Sequence, residues 1–163
     1  MDFRFETILA LPPEPVFAFH ASAARLELLH QDWPRVRLLA YEPHVRVGGE
    51  TWIEISLSSH VPMALGFRHT HFKSPSYFGE RLIHGPFSCF VHDHEFERVP
   101  EGTLVRDLLK VQLPWHYGGE TTVRRAVAPC LIRMFRERGT ALRRTARERC
   151  KNNSSPALRT PSP

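Results

Sequence analysis

The sequence is poor in cysteine and contains no long apolar run. Its 163 residues include three cysteines, at positions 89, 130 and 150, without a CxxC spacing or an even set to pair. This argues against the disulfide framework of a small secreted domain and favours a reducing compartment. The N-terminal stretch MDFRFETILALPPEP lacks a continuous apolar segment, which predicts neither a signal peptide nor a membrane span. We expect a cytoplasmic protein.

An excess of basic residues is confined to one end of the chain. Residues 1–120 hold 11 Lys and Arg against 15 Asp and Glu, whereas residues 121–163 hold 11 against 2. Such a segment could contact RNA or an anionic membrane. No aromatic-rich RNA-reading signature accompanies it, and no DNA binding is expected. A long amphipathic helix with a solvated arginine face is the favoured interpretation.

The chain predicts one domain followed by a short tail. Residues 1–149 are enough to bury a sizeable core, and they show no internal repeat. Residues 150–163 are rich in Ser, Pro and Asn and offer almost nothing that could pack. We therefore predict a domain at 1–149 and a disordered C-terminal tail at 150–163.

Alternating apolar residues predict a series of strands. The first is at 2–9, and prolines at 12, 13 and 15 then break the strand and suit the start of a helix, the first of two short ones. Turns rich in Gly, Pro and Ser separate further strands at about 35–41, 51–58, 64–73, 77–84, 87–98 and 103–112. Strands that follow one another through short turns predict an antiparallel meander.

The pattern changes to a helical period after Gly118-Gly119. Apolar residues recur at this spacing between Val123 and Leu142, which predicts a helix at about 120–148 that Pro129 kinks or restarts. The predicted fold class is thus α+β: a curved antiparallel sheet of about seven strands wrapped around a long C-terminal helix, with two short helices after strand 1. One helix cannot fill the concave side of such a sheet, so we expect a cavity that binds a small molecule.

Several short motifs follow one another in a fixed order between Phe3 and about Leu142. They are Pro13-x-x-Val16-Phe17-x-Phe19, Leu29-x-x-x-Trp33, Phe78-x-Glu80, Gly85-Pro86-Phe87, His92-x-His94-x-Phe96, Gly102-Thr103-x-x-x-Asp107, Leu113-Pro114 and Met134-Phe135-x-x-Arg138. In order and spacing they resemble the START-like, or SRPBCC, superfamily, in its uncharacterised ligand-binding branch related to polyketide cyclase/dehydrase-type proteins, and this resemblance implies the helix-grip fold. The resemblance implies a pocket for a hydrophobic ligand, which we expect to be lipid- or polyketide-like, and we expect no cofactor. It does not imply a particular reaction, although a few relatives cyclise or dehydrate polyketides.

Two His-x-His pairs lie on neighbouring predicted strands. Side chains two apart share a face of a strand, so His92 lies beside His94, and His69 beside His71. Turn lengths then predict which residues stand opposite one another. They place His94 opposite Asp107 and Glu80 opposite both His71 and His92, all on one face unless the register slips.

Three interpretations of these polar residues remain open. They could be mutually satisfied structural pairs, because buried polar groups need partners. They could form the polar end of a ligand cavity. They could also bind Zn²⁺, or His94 held by Asp107 could act as a general acid/base. We assign no metal and no catalytic residue, and an isolated surface ion pair is the favoured role for Arg138.

The favoured function is binding of a small hydrophobic molecule between the sheet and the C-terminal helix. The alternatives are a cyclase- or dehydratase-like enzyme that uses His94 and Asp107, and an adaptor that docks through its basic helix. The predicted ligand-binding residues are His71, Glu80, Phe90, His92, His94, Phe96, Asp107, Leu109, Val127, Leu131, Met134 and Phe135.

Overall fold

The computed structural model describes residues 1–22, 26–29, 35–56 and 62–154. Within these ranges every predicted strand and helix is present; Trp33 and residues 155–163 of the predicted tail lie outside them. The elements are β1 (Asp2–Leu9), α1 (Pro13–His20), α2 (Leu26–Leu29), β2 (Arg35–Tyr41), β3 (Glu50–Ser56), β4 (Pro62–Lys73), β5 (Tyr77–His84), β6 (Cys89–Val99), β7 (Gly102–Gln112), a 3₁₀ turn (Trp115–Tyr117), α3 (Gly119–Thr122) and α4 (Ala128–Ser154).

The seven strands form one antiparallel sheet in the order β1-β7-β6-β5-β4-β3-β2. Strands β2 to β7 form a meander, because each pairs with the strand that follows it in the chain. The chain from β1 crosses to the far edge through α1 and α2, which places β1 beside β7 at the end of the meander. One face of the sheet therefore carries residues from all seven strands.

The C-terminal helix is long and bent, with an irregular segment near its start. Between α3 and α4, residues Val123–Val127 form a π-helical segment in which the Ala128 N–H donates to the Val123 carbonyl. Pro129 follows immediately and explains the change, because its ring lacks an N–H and crowds the carbonyl four residues earlier. The predicted interruption at Pro129 is confirmed, and α4 continues to Ser154.

The helix packs on the inner face of the sheet at two places. Near its start, Val123, Leu131 and Phe135 pack with Leu109 and Val111 of β7. Near its end, Leu142 and Ala146 join a second cluster that also contains aromatic residues of α1, β5 and β6. This arrangement is an α+β helix-grip fold, as predicted. Among the described residues, no helix is long and apolar enough to cross a membrane.

Candidate functional site

A cavity of about 300 Å³ lies between the inner face of the sheet and the C-terminal helix. This volume is at the lower end of the range typical of small-molecule pockets. Most of the lining is aliphatic or aromatic, and it comes from α1, α2, the sheet and both parts of the C-terminal helix. The polar and sulfur-bearing side chains of the lining, apart from methionine, are His20, Ser22, Thr51, His69, Glu80, His92, His94, Cys130 and Arg138.

Nine of the twelve residues predicted to bind a ligand line this cavity: Glu80, Phe90, His92, His94, Leu109, Val127, Leu131, Met134 and Phe135. The other three lie elsewhere. Phe96 is buried in the adjoining core, where its ring contacts Phe17 with centroids 5.3 Å apart. Asp107 is buried beside the cavity-lining histidines without lining the cavity itself. His71 is exposed.

The sheet register places three polar residues in one row across the inner face. Glu80 on β5 stands opposite His92 on β6 and, on its other side, opposite His69 on β4. One step along β6, His94 stands opposite Asp107 on β7. The predicted pairs Glu80–His92 and His94–Asp107 are therefore confirmed. We call these five residues together with Arg138 the polar cluster.

The predicted pairing of His71 with Glu80 is wrong, and so is the prediction that His69 and His71 share a face. The turn between β4 and β5 sets Lys73 opposite Tyr77, which puts His71 opposite Gly79. A β-bulge between His69 and His71 then shifts the register by one residue. Because a bulge breaks the alternation of side chains, His69 is buried while His71 is exposed.

One oxygen of Asp107 is close to three nitrogens of the polar cluster. His92 Nε2 donates a hydrogen bond to Oδ1 over 3.0 Å. His94 Nδ1 lies 2.8 Å from the same atom, although its N–H direction does not meet the angular requirement of a hydrogen bond. Nη2 of Arg138 lies 3.6 Å away. The buried carboxylate thus balances the charge of a buried guanidinium and positions two imidazoles.

The carboxylates of the polar cluster stay ionised despite their burial. Burial alone would raise the pKa of Asp107, but the Arg138 guanidinium, the hydrogen bond from His92 and the close contact of His94 hold that pKa well below its usual range. Burial likewise opposes ionisation of Glu80, whereas the neighbouring imidazoles, His92 first, bring its pKa below the ordinary value. Two negative charges and one arginine charge therefore lie beside the cavity.

The two histidines of β6 differ in their protonation. Burial works to lower the pKa of His92, yet Asp107 and Glu80 on either side outweigh it and raise the pKa. Burial, with the added repulsion of a charged His92, lowers the pKa of His94 to about 3. At neutral pH, His94 is consequently an uncharged imidazole that offers one N–H and one lone pair.

Several cavity-lining groups have polar atoms that lack a hydrogen-bond partner. These atoms are His20 Nε2, His69 Nδ1, His94 Nδ1 and Arg138 Nε. His20 uses its other nitrogen, since Nδ1 donates to the Val16 carbonyl over 2.8 Å. Buried polar atoms without partners are costly, so a bound group that satisfies them would be stabilised here.

Sequence reasoning did not place several polar residues in the cavity wall, among them His20, Thr51 and Arg138. His20 lies at the end of α1, Thr51 is a buried residue of β3, and Arg138 is 5% exposed rather than part of a surface ion pair. Only Arg138 had a recognisable signal. It continues the helical stripe of Leu131 and Phe135, so its position faces the sheet even though its charge suggests solvent.

The chain matches no protein-family profile, and a search of curated proteins finds no match. Solved structures are similar in fold. A crystal structure from Thermus thermophilus has 19% sequence identity and a TM-score of 0.63, and it covers 95% of this chain and 100% of the other. One from Rhodobacter sphaeroides has 14% identity and a TM-score of 0.70, with 90% and 93% covered.

A third similar structure is a protein of unknown function from Staphylococcus aureus. It has 12% identity and a TM-score of 0.66, with 90% of this chain and 96% of that chain covered. At such low identities the likeness concerns the fold alone. It supports the arrangement of a seven-stranded antiparallel sheet and a C-terminal helix around which the cavity forms.

Proposed function

We propose that the protein binds a small, largely hydrophobic molecule in the cavity between the sheet and the C-terminal helix. The observation that carries this proposal is that the cavity wall has a large apolar part and a smaller polar part. Apolar side chains make up most of it, while the polar cluster brings unpaired nitrogens together on adjacent strands of the sheet and on the facing helix. Such a wall suits a molecule with an apolar body and one polar group, of the lipid- or polyketide-like kind that the START-like resemblance implies.

Specificity would come from the polar cluster. Apolar walls discriminate weakly between molecules of similar size, whereas unpaired buried donors and acceptors penalise a ligand that cannot satisfy them. Arg138 Nε can donate to a carbonyl, hydroxyl or carboxylate oxygen, and the neutral His94 can either donate or accept.

Binding without catalysis is the better supported role. A general base works best when its pKa lies near the operating pH, and a pKa of about 3 leaves His94 a weak base. A cyclase- or dehydratase-like activity remains testable through His94→Asn. That change would abolish turnover in an enzyme, whereas it would only weaken affinity in a binding protein.

The test of binding compares two tryptophan substitutions on the same helix. Leu131 is buried against the cavity, and its neighbour Ile132 is 56% exposed. The binding of an environment-sensitive apolar dye is titrated by fluorescence. Leu131→Trp should weaken binding at least tenfold by filling the cavity, while Ile132→Trp should leave it unchanged.

Native mass spectrometry of protein purified from its own host provides the second measurement, because it detects a retained small molecule directly. Thermal unfolding confirms that both variants are folded. Failure of the unmodified protein to bind the dye, or equal affinity in Leu131→Trp, would refute the proposal.

A further inference from the structure

Glu80 faces two imidazole nitrogens at distances that do not fit hydrogen bonds. Its Oε1 lies 3.6 Å from His92 Nδ1, and its Oε2 lies 3.7 Å from His69 Nδ1. A charge-assisted N–H···O bond is about 2.7–2.9 Å long. By contrast, atoms bound to one tetrahedral cation at about 2.0–2.2 Å lie roughly 3.4 Å apart. The observed spacing is closer to that of ligands around a shared ion.

The other ring nitrogen of each histidine is already engaged. His92 Nε2 donates to Asp107, and His69 Nε2 forms a hydrogen bond of 3.3 Å with Thr51 Oγ1. Both Nδ1 atoms face Glu80, and a cation bound there would take the place of any proton on them. Histidines that ligate metals characteristically bond their second nitrogen to a carboxylate or another oxygen in this way.

His94 provides a third imidazole beside Glu80 and His92. Ligand atoms of Glu80, His92 and His94 lie within 4.8 Å of one another. His69 adds an independent indication, because it is 6% exposed and its Nδ1 has no hydrogen-bond partner. Three side chains from two adjacent strands therefore converge on one small volume at the wall of the cavity, and His69 of a third strand contacts this group through Glu80.

We propose that Glu80, His92 and His94 bind one divalent transition-metal cation of the Zn²⁺ class, with His69 as a further ligand. Imidazoles with one carboxylate form the donor set that Zn²⁺ and its neighbours take, whereas Ca²⁺ and Mg²⁺ require oxygen ligands. All four side chains also line the cavity, so the ion would be within reach of an oxygen on a bound molecule. This proposal goes beyond small-molecule binding and does not depend on it.

The test uses the intact chain after removal of metals with a chelator. Zn²⁺ binding is measured by isothermal titration calorimetry, with one ion per chain expected for the unmodified protein. Glu80→Gln and His92→Gln should each raise the Kd by about 100-fold or more, because each removes a direct ligand. The control variant replaces His71 and His84, both exposed, with Gln, and it should bind Zn²⁺ as the unmodified protein does.

A second measurement needs no variant. Co²⁺ in place of Zn²⁺ should give the intense visible absorption of a four- or five-coordinate site, and Zn²⁺ should remove that absorption stoichiometrically. Equal Zn²⁺ affinity in Glu80→Gln, or loss of binding in the control, would assign the ion to adventitious surface histidines and overturn the proposal. Absence of any stoichiometric binding would overturn it as well.

Dye binding is recorded on the same chelated samples. Dye binding that persists without metal binding would refute the metal site and leave the ligand-binding function intact. Stoichiometric Zn²⁺ binding without dye binding would support the metal site and refute the proposed binding of a hydrophobic molecule. The two proposals can therefore fail separately.

Discussion

Asp107 and His94 stand directly opposite each other on β7 and β6, with Oδ1 and Nδ1 2.8 Å apart. The same carboxylate also accepts a hydrogen bond from His92 and faces Arg138. A side chain that does not itself line the cavity thus holds three that do. Its charge is consequently central to both the stability of the fold and the shape of the cavity wall.

Neutralising Asp107 should destabilise the protein substantially. Asp107→Asn keeps the size of the side chain but leaves the buried Arg138 guanidinium without a counter-charge. We expect the free energy of unfolding to fall by about 3 kcal/mol, measured by chemical denaturation at pH 7. In the matched control, Glu97→Gln removes an exposed carboxylate from Arg106 and should change stability little. Equal losses in the two variants would contradict the argument from burial.

Stability should decline as the pH falls from 6.5 towards 4, in part because of His20. Burial, aided by Arg138, lowers the pKa of His20 to about 4, whereas the unfolded chain titrates near 6.5. The unfolded state therefore takes up a proton first, and stability decreases through this window before the contribution levels off below it. The difference corresponds to at most on the order of 3 kcal/mol, since part of His20 keeps contact with solvent.

The variant His20→Phe isolates this contribution. It removes the titrating group, so the plot of unfolding free energy against pH should be flatter between pH 6.5 and 4. Some decline should remain, because the pKa of His94 is also lowered, to about 3. An unchanged slope in His20→Phe would show that His20 does not carry the effect.

Gly102 should be intolerant of substitution by alanine. It begins β7 with φ of +133°, and a Cβ there would overlap the backbone of Leu9 and Leu11. Backbone atoms cannot move aside easily, so we expect Gly102→Ala to cost more than about 2 kcal/mol. Gly119 also has a positive φ, of +52°, but a Cβ there meets nothing within 4 Å. Gly119→Ala should cost about 1 kcal/mol, and urea denaturation compares the two.

We expect Phe17 to contribute most of the stability gained by packing α1 against the sheet. Its buried ring contacts those of Phe72, Phe78 and Phe96, with centroids 5.3–5.8 Å apart. Phe17→Ala should lower the unfolding free energy by about 3–5 kcal/mol, whereas Phe72→Ala, at a residue 41% exposed, should cost clearly less. If thermal or chemical denaturation showed a larger loss of stability for Phe72→Ala than for Phe17→Ala, the prediction for Phe17 would be wrong.

The sequence predicted the fold well because its turns are short and clearly marked. Alternating residues and turn lengths sufficed to set His94 opposite Asp107 and Glu80 opposite His92. The same counting failed for His71, because neither the exact turn before β5 nor a bulge can be read from residue types.

The composition of the polar cluster was predicted only in part. His69 was seen as one of a pair, but the bulge decided which of the two histidines would be buried. His20 lies at the end of α1 and Thr51 lies on β3. They become part of the cavity wall only because the fold brings together residues that are far apart in the sequence. Arg138 was assigned to the surface because a charged residue is buried only when the fold supplies a partner, and that partner, Asp107, lies on another element.

The β-bulge at Thr70 also determines which positions of this chain can tolerate substitution. Of two histidines that look equivalent in the sequence, it leaves His69 buried in the interior and His71 exposed on the surface. We therefore expect substitution of His71 to be tolerated, whereas substitution of His69 would remove its contacts with Glu80 and Thr51. Deleting one residue of the bulge would change which of the two histidines faces the interior. The bulge, rather than the His-x-His spacing, therefore determines which histidine belongs to the site.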